Sequence, residues 1–456
     1  MSTSTRDIHD LADSLFEGRI SRRDFARRAT ALGLSAGVLG SVLQALGGAS
    51  SAEAASKATI TLWHGWTGAD NTQMLNTVID RFNKTNASGV TVKPTAYQWD
   101  QLFSKWVISA ASGNPPDVTM FHTSELPEYV ERGILGPIDD LVRTAGVSFA
   151  GVPSAAVNGV HWKGKLYAVP GDLHPLGMYY NVDMVKAAGL NPGAPPKTMA
   201  EFLHWADKLT IRGSGGKVSQ YGVYMASTGA VPRWFWYSLL YQFGGSFLNG
   251  RGTSAVDSAA SRSALQFVVD LFHRYKVVTP GSTGQGIDPV AAKKAAIWFI
   301  GPWEVNLRMQ QKLHFATAPM PVFGAKPAAW ANAHCQGISR QRSDSNYEAD
   351  ITFMKWFYEN YAQAAKVVGI IPVNPVARAS AVWVDDVRYK YYKAFIEELP
   401  HVALEPAFPQ YTKIFSFAKP TPLSTNLEAA IAGSKTVDQA LRDMKQGVDQ
   451  MLAQSI

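Results

Sequence analysis

The chain has 456 residues, of which 46% are hydrophobic and 17% charged, a composition typical of globular rather than disordered proteins. Its net charge is +7, but the Lys and Arg residues are scattered instead of forming a basic stripe, so we expect no nucleic-acid partner. The single cysteine, Cys335, excludes an intrachain disulfide and any site that needs several cysteines.

Residues 1–54 are predicted to be an export signal. Twin arginines in the segment SRRDFA, residues 21–26, precede a weakly apolar run at 29–49, and the small-x-small pattern AEA follows at 52–54. This order is typical of a twin-arginine signal peptide that is cleaved near Ala54. We therefore expect a mature periplasmic protein; the alternative is that the apolar run is retained as a membrane anchor.

Strand-like and helix-like segments alternate after residue 57. The first of them are a strand at 60–63, a helix at 73–83, a strand at 90–92, a helix around 102–107, a strand at 117–121 and a helix at 124–132. This order favours a mostly parallel sheet with helices on both faces. Later segments are strands at 165–169, 177–180 and 295–300, and helices at 201–209, 264–275, 349–361 and from 437, with Thr198 and Thr436 as predicted N-caps.

The length favours two domains, because a single hydrophobic core stops growing at roughly 250–300 residues. No glycine- or proline-rich linker divides the sequence after the leader. Two lobes without a linker indicate that strands cross between them, as in hinged proteins.

Motifs for covalent chemistry and metal binding give no support to an enzyme. The sequence has no G-x-G-x-x-G after a strand, no Walker loop and no H-E-x-x-H. Its ten histidines show no metal-ligand spacing, so neither a metal nor a cofactor is predicted. A glycosidase needs two carboxylates that face one bond, and Asp172 has no such partner that the sequence identifies.

Short motifs follow one another in a fixed order along the chain. They are GNPPDV at 113–118, GKLYAVP at 164–170, YYN at 179–181, GGSFL at 244–248, GPW at 301–303 and TVDQAL at 436–441. Together they resemble the extracellular solute-binding proteins of ABC importers, and especially the sugar-binding branch that includes maltose-binding protein. The resemblance covers nearly all of the chain after the leader.

The resemblance implies a two-lobed α/β fold of the type II periplasmic-binding-protein class, with a mostly parallel sheet in each lobe and a multi-strand hinge. The implied N-terminal lobe comprises residues 55–171 plus about 334–372, and the C-terminal lobe comprises 172–333 plus about 373–456. It also implies a monomer that clamps a ligand between its lobes and delivers it to permease subunits in the inner membrane.

Aromatic and polar side chains stand where predicted strands end or cross, the places where open α/β sheets bind ligands. Indole faces pack on sugar C–H groups, while Asp and His supply partners for hydroxyls. The resemblance adds that the family stacks a sugar on the tryptophan of the GPW motif. The predicted ligand-binding residues are His64, Trp66, His122, Asp172, His174, Trp234, Trp236, Trp303 and His334.

Of the two tryptophans Trp234 and Trp236, the sequence does not indicate which one contacts the ligand. Trp234 and Trp236 are about 200° apart on a helix, so only one of them is expected to face a given ligand. The notable stretch Trp63-His64-Gly65-Trp66 follows the first strand, and Gly65 is expected to permit a sharp change of direction there.

The sequence thus predicts a non-enzymatic, periplasmic sugar-binding component of an ABC importer. One alternative is a binder of a phosphorylated polyol such as glycerol phosphate or a glycerophosphodiester. Alternatives of another class are an exported glycoside-processing enzyme and a cofactor enzyme exported by the twin-arginine route.

Overall fold

The structure is a computed structural model that describes Arg28 and residues 58–279, 288–340, 346–416 and 420–455. The chain divides into two units, Met1–Ser56 and Lys57–Ile456, and the elements given below belong to the second. The predicted export signal and its cleavage site lie, apart from Arg28, outside the described residues. Within the described part of the chain, no helix is long and apolar enough to cross a bilayer.

The strands of the second unit are β1 (Thr59–His64), β2 (Thr91–Ala96), β3 (Val118–His122), β4 (His161–Trp162), β5 (Lys165–Leu166), β6 (Val169–Pro170), β7 (Asp172–Pro175), β8 (Gly177–Asn181), β9 (Ile211–Arg212), β10 (Val218–Tyr224), β11 (Ala295–Ile300), β12 (Phe315–Ala318), β13 (Ala329–Asn332), β14 (His334–Ile338), β15 (Ile371–Pro372) and β16 (Val402–Leu404).

Its helices are α1 (Ala69–Thr85), α2 (Trp99–Ala111), α3 (Leu126–Glu131), α4 (Asp139–Thr144), α5 (Ser154–Gly159), α6 (Val182–Ala187), α7 (Met199–Lys208), α8 (Ala230–Gln242), α9 (Ala259–His273), α10 (Glu304–Gln310), α11 (Tyr347–Glu359), α12 (Tyr361–Val368), α13 (Pro375–Ala379), α14 (Ala381–Val384), α15 (Tyr389–Glu398), α16 (Tyr411–Ile414), α17 (Pro422–Ile431) and α18 (Val437–Leu452). Short 3₁₀ turns occur at Thr123–Glu125, Ser214–Gly216 and Leu399–His401.

Three sheets organise these strands. The first sheet has the order β2-β1-β3-β14-β6, the second sheet β12-β8-β11-β10-β9, and a bridging sheet β15-β7-β13-β16. One hydrophobic core gathers around the first sheet, with Leu62 and Phe121 among its buried members, and another around the second sheet, with Phe235 and Ile297. Side chains of the second sheet enter both cores, since Tyr179, Trp298 and Phe315 belong to the first one.

The parallel order expected from the first segments is found in β2-β1-β3, where β1 pairs in parallel with both neighbours. The two large sheets as wholes are mixed. In the first sheet β14 is antiparallel to β3 and β6, because the chain returns to that sheet from the bridging sheet through β13. In the second sheet β8 is antiparallel to both β11 and β12.

Most predicted elements are present, with bounds that shift by a few residues. The predicted capping box of α7 is confirmed: Thr198 Oγ1 accepts from the Glu201 N–H at 3.3 Å, and Glu201 accepts from the Thr198 N–H at 3.0 Å. Thr436 likewise caps α18 by accepting from the Gln439 N–H at 3.2 Å. Such caps satisfy N–H groups that a helix start leaves without an internal partner.

The predicted strand at 165–169 is wrong as one element. It is divided into β5, which pairs with β4, and β6, which pairs with β14 in the first sheet. Lys163 (φ 47°) and Gly164 (φ 79°) turn the chain tightly between β4 and β5. Positive φ at both central residues is the requirement of a type I′ hairpin turn.

Candidate functional site

A cleft of about 310 Å³ lies where the first sheet meets the bridging sheet, and we call it the central cleft. Its lining consists of Gly65, Trp66, Thr67, Gly68, Trp99, His122, His174, Trp234, Trp303, Trp330, Asn332, His334, Val368 and Ile370. The volume falls at the small end of the range of about 300–1,000 Å³ typical of small-molecule sites. Five indoles and three imidazoles make the lining strongly aromatic.

Strand register explains why three histidines far apart in the sequence meet in this cleft. In the first sheet, His334 of β14 pairs directly with His122 of β3. In the bridging sheet, Asn332 of β13 pairs with His174 of β7. Side chains two residues apart on a strand share one face, and directly paired residues share it too. Since Ala333 alone separates β13 from β14, all three imidazoles are brought to one place.

The rings are close to one another. The ring centroids of His174 and His334 are 4.4 Å apart, those of His122 and His334 are 4.9 Å apart, and those of His122 and His174 are 5.8 Å apart. All three side chains are buried, with at most 6% of any residue exposed. The cluster of His122, His174 and His334, called the histidine cluster below, forms a compact polar patch in an aromatic cleft.

Asp172 lies behind the histidine cluster and is fully buried. Its Oδ1 is 2.7 Å from His174 Nδ1, and its Oδ2 is 2.8 Å from His334 Nδ1 and 2.5 Å from the Tyr361 hydroxyl. An ionised carboxylate can only accept hydrogen bonds, so both imidazoles present Nδ1–H to it. Asp172 therefore fixes the orientation of two rings instead of lining the cleft itself.

Glu125 holds the third ring. Its Oε1 is 3.2 Å from His122 Nδ1, and its Oε2 accepts from the backbone N–H of His122 at 2.8 Å. Glu125 is itself buried, in the 3₁₀ turn that follows β3. Each histidine of the cluster thus has a buried carboxylate at Nδ1.

Burial and charge act in opposite directions on the pKa values of these groups. Burial alone would raise the pKa of Asp172, but His334 and His174 outweigh it and hold that pKa below its usual value. Burial lowers the pKa of His174, and it lowers the pKa of His334 to about 3. For His122, burial acts to lower the pKa, but the charge and hydrogen bond of Glu125 together with the charges of Glu405 and Asp172 outweigh it and raise the pKa. At neutral pH, His174 and His334 are therefore neutral rings beside an ionised Asp172.

Tryptophans enclose the histidine cluster. The indole of Trp99 stacks on His334 with centroids 5.0 Å apart and an interplanar angle of 11°. Trp303 meets the edge of His174 at 5.7 Å. Trp234 stacks on Trp330 at 4.3 Å. Indole faces of this kind offer flat, weakly electronegative platforms to C–H groups.

Glycine is required between the two tryptophans of the stretch Trp63-His64-Gly65-Trp66, but for a reason other than the expected one. Gly65 is absent from the positions with positive φ, so no unusual turn is made there. A Cβ at Gly65 would instead stand 2.1 Å from the ring of Trp99. The Trp99 indole occupies the space that a side chain at position 65 would fill.

The structure brings six of the nine predicted site residues to the central cleft: Trp66, His122, His174, Trp234, Trp303 and His334. Asp172 stands behind the cleft as described. Trp236 is fully buried in the core of the second sheet, and helix geometry places it about 200° around α8 from Trp234. His64 is fully buried as well, and burial lowers its pKa to about 4. His64, Asp172 and Trp236 do not line the cleft.

Sequence reasoning missed Trp99, Trp330 and Asn332. Trp99 follows β2 at the start of α2, so the rule that ligands gather beyond strand ends could have found it. Trp330 and Asn332 lie on β13, which the sequence did not predict as a strand. Their place in the cleft depends on pairing with β7, a contact between segments distant in sequence.

The fold and the cleft together define a class of protein: a mixed α/β binding protein with a ligand-sized aromatic cleft between sheets. The model of the family described as bacterial extracellular solute-binding protein matches residues 77–390. The chain belongs to this family, as predicted from its motifs. Members of this family are binding proteins that act outside the cytoplasm, so this chain is an exported solute-binding protein.

Curated and solved relatives agree with that assignment. The chain is 24% identical to the maltodextrin-binding protein MdxE of Bacillus subtilis over 392 residues, which cover 81% of this chain and 85% of that protein. It is similar to the ABC substrate-binding protein Lmo0181 from Listeria monocytogenes in complex with cycloalternan, with a TM-score of 0.74, 18% identity and coverage of 88% of this chain and 100% of that chain.

A solute-binding protein of an ABC transporter from Thermotoga lettingae, bound with α-D-tagatose, gives a TM-score of 0.73 at 24% identity, over 87% of this chain and 100% of that chain. At these identities the structural likeness establishes the fold. The predicted α/β periplasmic-binding-protein fold is confirmed.

Proposed function

We propose that this protein captures a sugar in the central cleft and delivers it to the permease subunits of an ABC importer in the inner membrane. The observation that carries the proposal is the cleft itself, in which indole faces surround a buried patch of imidazoles and one amide. Indoles pack on the C–H faces of a sugar ring, and imidazole and amide groups supply hydrogen-bond partners for its hydroxyls.

The size of the cleft favours a small sugar. About 310 Å³ is near the lower limit for small-molecule sites, which suits a mono- or disaccharide better than a long oligosaccharide. The known ligands of similar proteins, α-D-tagatose and cycloalternan, support a carbohydrate as the class of solute.

The lining weighs against the alternatives. Among the described residues that line the cleft there is no Lys or Arg, the side chains that best bind a phosphate group. A glycoside-processing enzyme would need two carboxylates that reach the substrate. Asp172 is fully buried behind two histidines and a tyrosine, and it is not part of the lining. A non-enzymatic sugar binder therefore fits these residues best.

The proposed working cycle uses the lobes predicted from the sequence, residues 55–171 plus about 334–372 and residues 172–333 plus about 373–456. The bridging sheet is the proposed hinge, because the predicted lobe boundaries at 171/172, 333/334 and about 372/373 fall next to β7, β13 and β15. Sugar binding shifts an open arrangement to a closed one that docks on the permease. Export by the twin-arginine route, cleavage near Ala54, a periplasmic location and a monomeric state complete the proposal.

The experiment is thermal unfolding of the purified protein against monosaccharides, disaccharides, polyols and glycerol phosphate. A ligand at one hundred times its Kd should stabilise the protein by about 2.7 kcal/mol. We expect a shift with a sugar, still present after overnight incubation with no product formed. A shift that decays as product appears identifies an enzyme, and a shift with glycerol phosphate alone identifies the phosphorylated polyol. Stability unchanged by every sugar contradicts the proposal.

A further inference from the structure

The histidine cluster has the composition and spacing of a transition-metal site. One ring nitrogen from each of His122, His174 and His334 lies within 4.8 Å of the corresponding atoms of the other two. In a tetrahedral zinc site with bonds of about 2.0–2.1 Å, neighbouring ligand atoms are about 3.3 Å apart, so the three rings must approach one another to bind a single ion. Three imidazoles of one chain are a recognised ligand set for a zinc ion with an open fourth position.

The carboxylates behind the rings strengthen this assignment. Nδ1 of His174 and of His334 faces Asp172, and Nδ1 of His122 faces Glu125. A histidine that binds a metal commonly donates its other N–H to a carboxylate, which fixes the tautomer and the direction of the ring. The same pattern at all three rings makes Nε2 the nitrogen that each presents to an ion.

We propose that the central cleft holds one divalent transition-metal ion of the zinc class, bound by Nε2 of His122, His174 and His334. Zinc prefers nitrogen ligands of this kind, whereas calcium and magnesium prefer oxygen ligands. The positive ion also offsets the negative charge of the buried Asp172, whose hydrogen-bond partners include His174, His334 and Tyr361.

The position of the ion gives it a role in solute capture, and this part of the inference rests on the proposed function. The three histidines line the central cleft together with Trp99 and Trp303, so an ion held by the rings would lie beside the space proposed for the sugar. An oxygen atom of the solute, from a hydroxyl or a carboxylate, completes the coordination. The metal would then select solutes that present an oxygen at that point.

The test uses the purified full chain without a histidine tag, treated with chelator and then titrated with ZnCl₂ and CoCl₂. Calorimetry counts the ions, and the visible absorption of Co²⁺ reports tetrahedral coordination. We expect one ion per chain, with affinity at least about 100-fold lower in His334→Gln and His174→Gln. Asp172→Asn, which changes a carboxylate behind the rings, should lower the affinity about 10–100-fold.

The control variant is His161→Gln, which removes an exposed histidine whose Nδ1 contacts the Val157 carbonyl. It should bind zinc as the wild type does. His122→Gln provides a further test if either of the other two glutamine variants does not fold. No stoichiometric ion in the wild type, or zinc affinity equal in His334→Gln and His161→Gln, overturns the proposal.

A sugar screen on chelator-treated and zinc-loaded protein separates this inference from the proposed function. Sugar binding without any zinc binding overturns the metal site and leaves the sugar function in place. Zinc binding without sugar binding supports the metal site and contradicts the sugar function. Tighter sugar binding in the zinc-loaded protein supports both, together with the role of the ion in capture.

Discussion

Asp172 Oδ2 lies 2.8 Å from His334 Nδ1. This contact joins β7 of the bridging sheet to β14 of the first sheet. Asp172 also accepts from His174 and Tyr361. A single buried carboxylate therefore connects β7, β14 and α12 at the base of the central cleft.

Removing the charge of Asp172 is expected to destabilise the protein. Hydrogen bonds to a charged group contribute about 1.5–3 kcal/mol each, but not additively, so Asp172→Asn should lower the free energy of unfolding by about 3 kcal/mol. Urea unfolding of the wild type and the variant measures this difference in the free energy of unfolding. The matched control is Asp183→Asn, since Asp183 pairs with His314 at 2.7 Å with both side chains 57% exposed. That pair should contribute less than about 1 kcal/mol. Equal losses in the two variants would contradict the prediction.

Trp303 is expected to contribute to sugar binding through its position in the cleft lining, where it meets His174 and Trp234 edge to face. Trp303→Ala should weaken the affinity for the sugar identified by the screen about thirtyfold, equivalent to about 2 kcal/mol. Isothermal titration calorimetry provides the measurement. Trp162→Ala is the control, because Trp162 is outside the cleft and its indole N–H binds Glu131. An unchanged Kd for the sugar in Trp303→Ala would show that Trp303 does not contribute to sugar binding.

A methyl group at Gly65 is expected to displace the Trp99 indole, because the added Cβ would stand 2.1 Å from that ring. Overpacking of this kind costs about 1–3 kcal/mol, so Gly65→Ala should be less stable by that amount and should bind the sugar more weakly. Gly250→Ala is the matched control, since its Cβ would meet nothing within 4 Å and its φ is not positive. Chemical denaturation followed by tryptophan fluorescence compares the stabilities of Gly65→Ala and Gly250→Ala. Similar denaturation curves would show that the Trp99 side chain repacks without loss of stability.

Glu398 is expected to make stability depend on pH. It is buried in α15, accepts from the Met320 N–H, and burial raises its pKa from 4.5 to about 7. Between these values the folded state binds more protons than the unfolded state, so stability present at pH 4.5 is lost as the pH rises through 7. The change amounts to about 3 kcal/mol at 1.36 kcal/mol per pKa unit.

Glu398→Gln should remove this part of the pH dependence, because an amide keeps the acceptor for Met320 without a charge to bury. Glu397→Gln, which changes the exposed neighbour, should retain most of it. The measurement is the free energy of unfolding at several values between pH 5 and 8. A wild-type profile that matches Glu398→Gln throughout would show that Glu398 titrates near its ordinary pKa.

Local features were predictable from the sequence because they depend on residues close in the chain. The cap at Thr198 needs only Glu201, and Trp303 follows directly from a strand end and a Gly-Pro pair. The histidine cluster could not be predicted in this way, although each of its members was individually a candidate. Its convergence depends on the register of β14 on β3 and of β13 on β7, and no spacing along the chain encodes that register.

The role of Gly65 illustrates the same limit at shorter range. The sequence indicates that a glycine is needed between His64 and Trp66, but a turn and a close approach both require one. Only the position of Trp99, which comes from a different element, distinguishes the two.

Ala333 has a mechanical consequence, because this one residue joins two strands that belong to different sheets. His122 and His334 are paired within the first sheet, so a rotation about Ala333 leaves their separation nearly unchanged. His174 belongs to the bridging sheet, so in the proposed hinge motion it would move relative to both. In that proposed motion, the triangle formed by the three imidazoles would close at one angle between the sheets and open at others. A molecule or ion that contacts all three imidazoles at once would bind best at that angle between the sheets and would stabilise it.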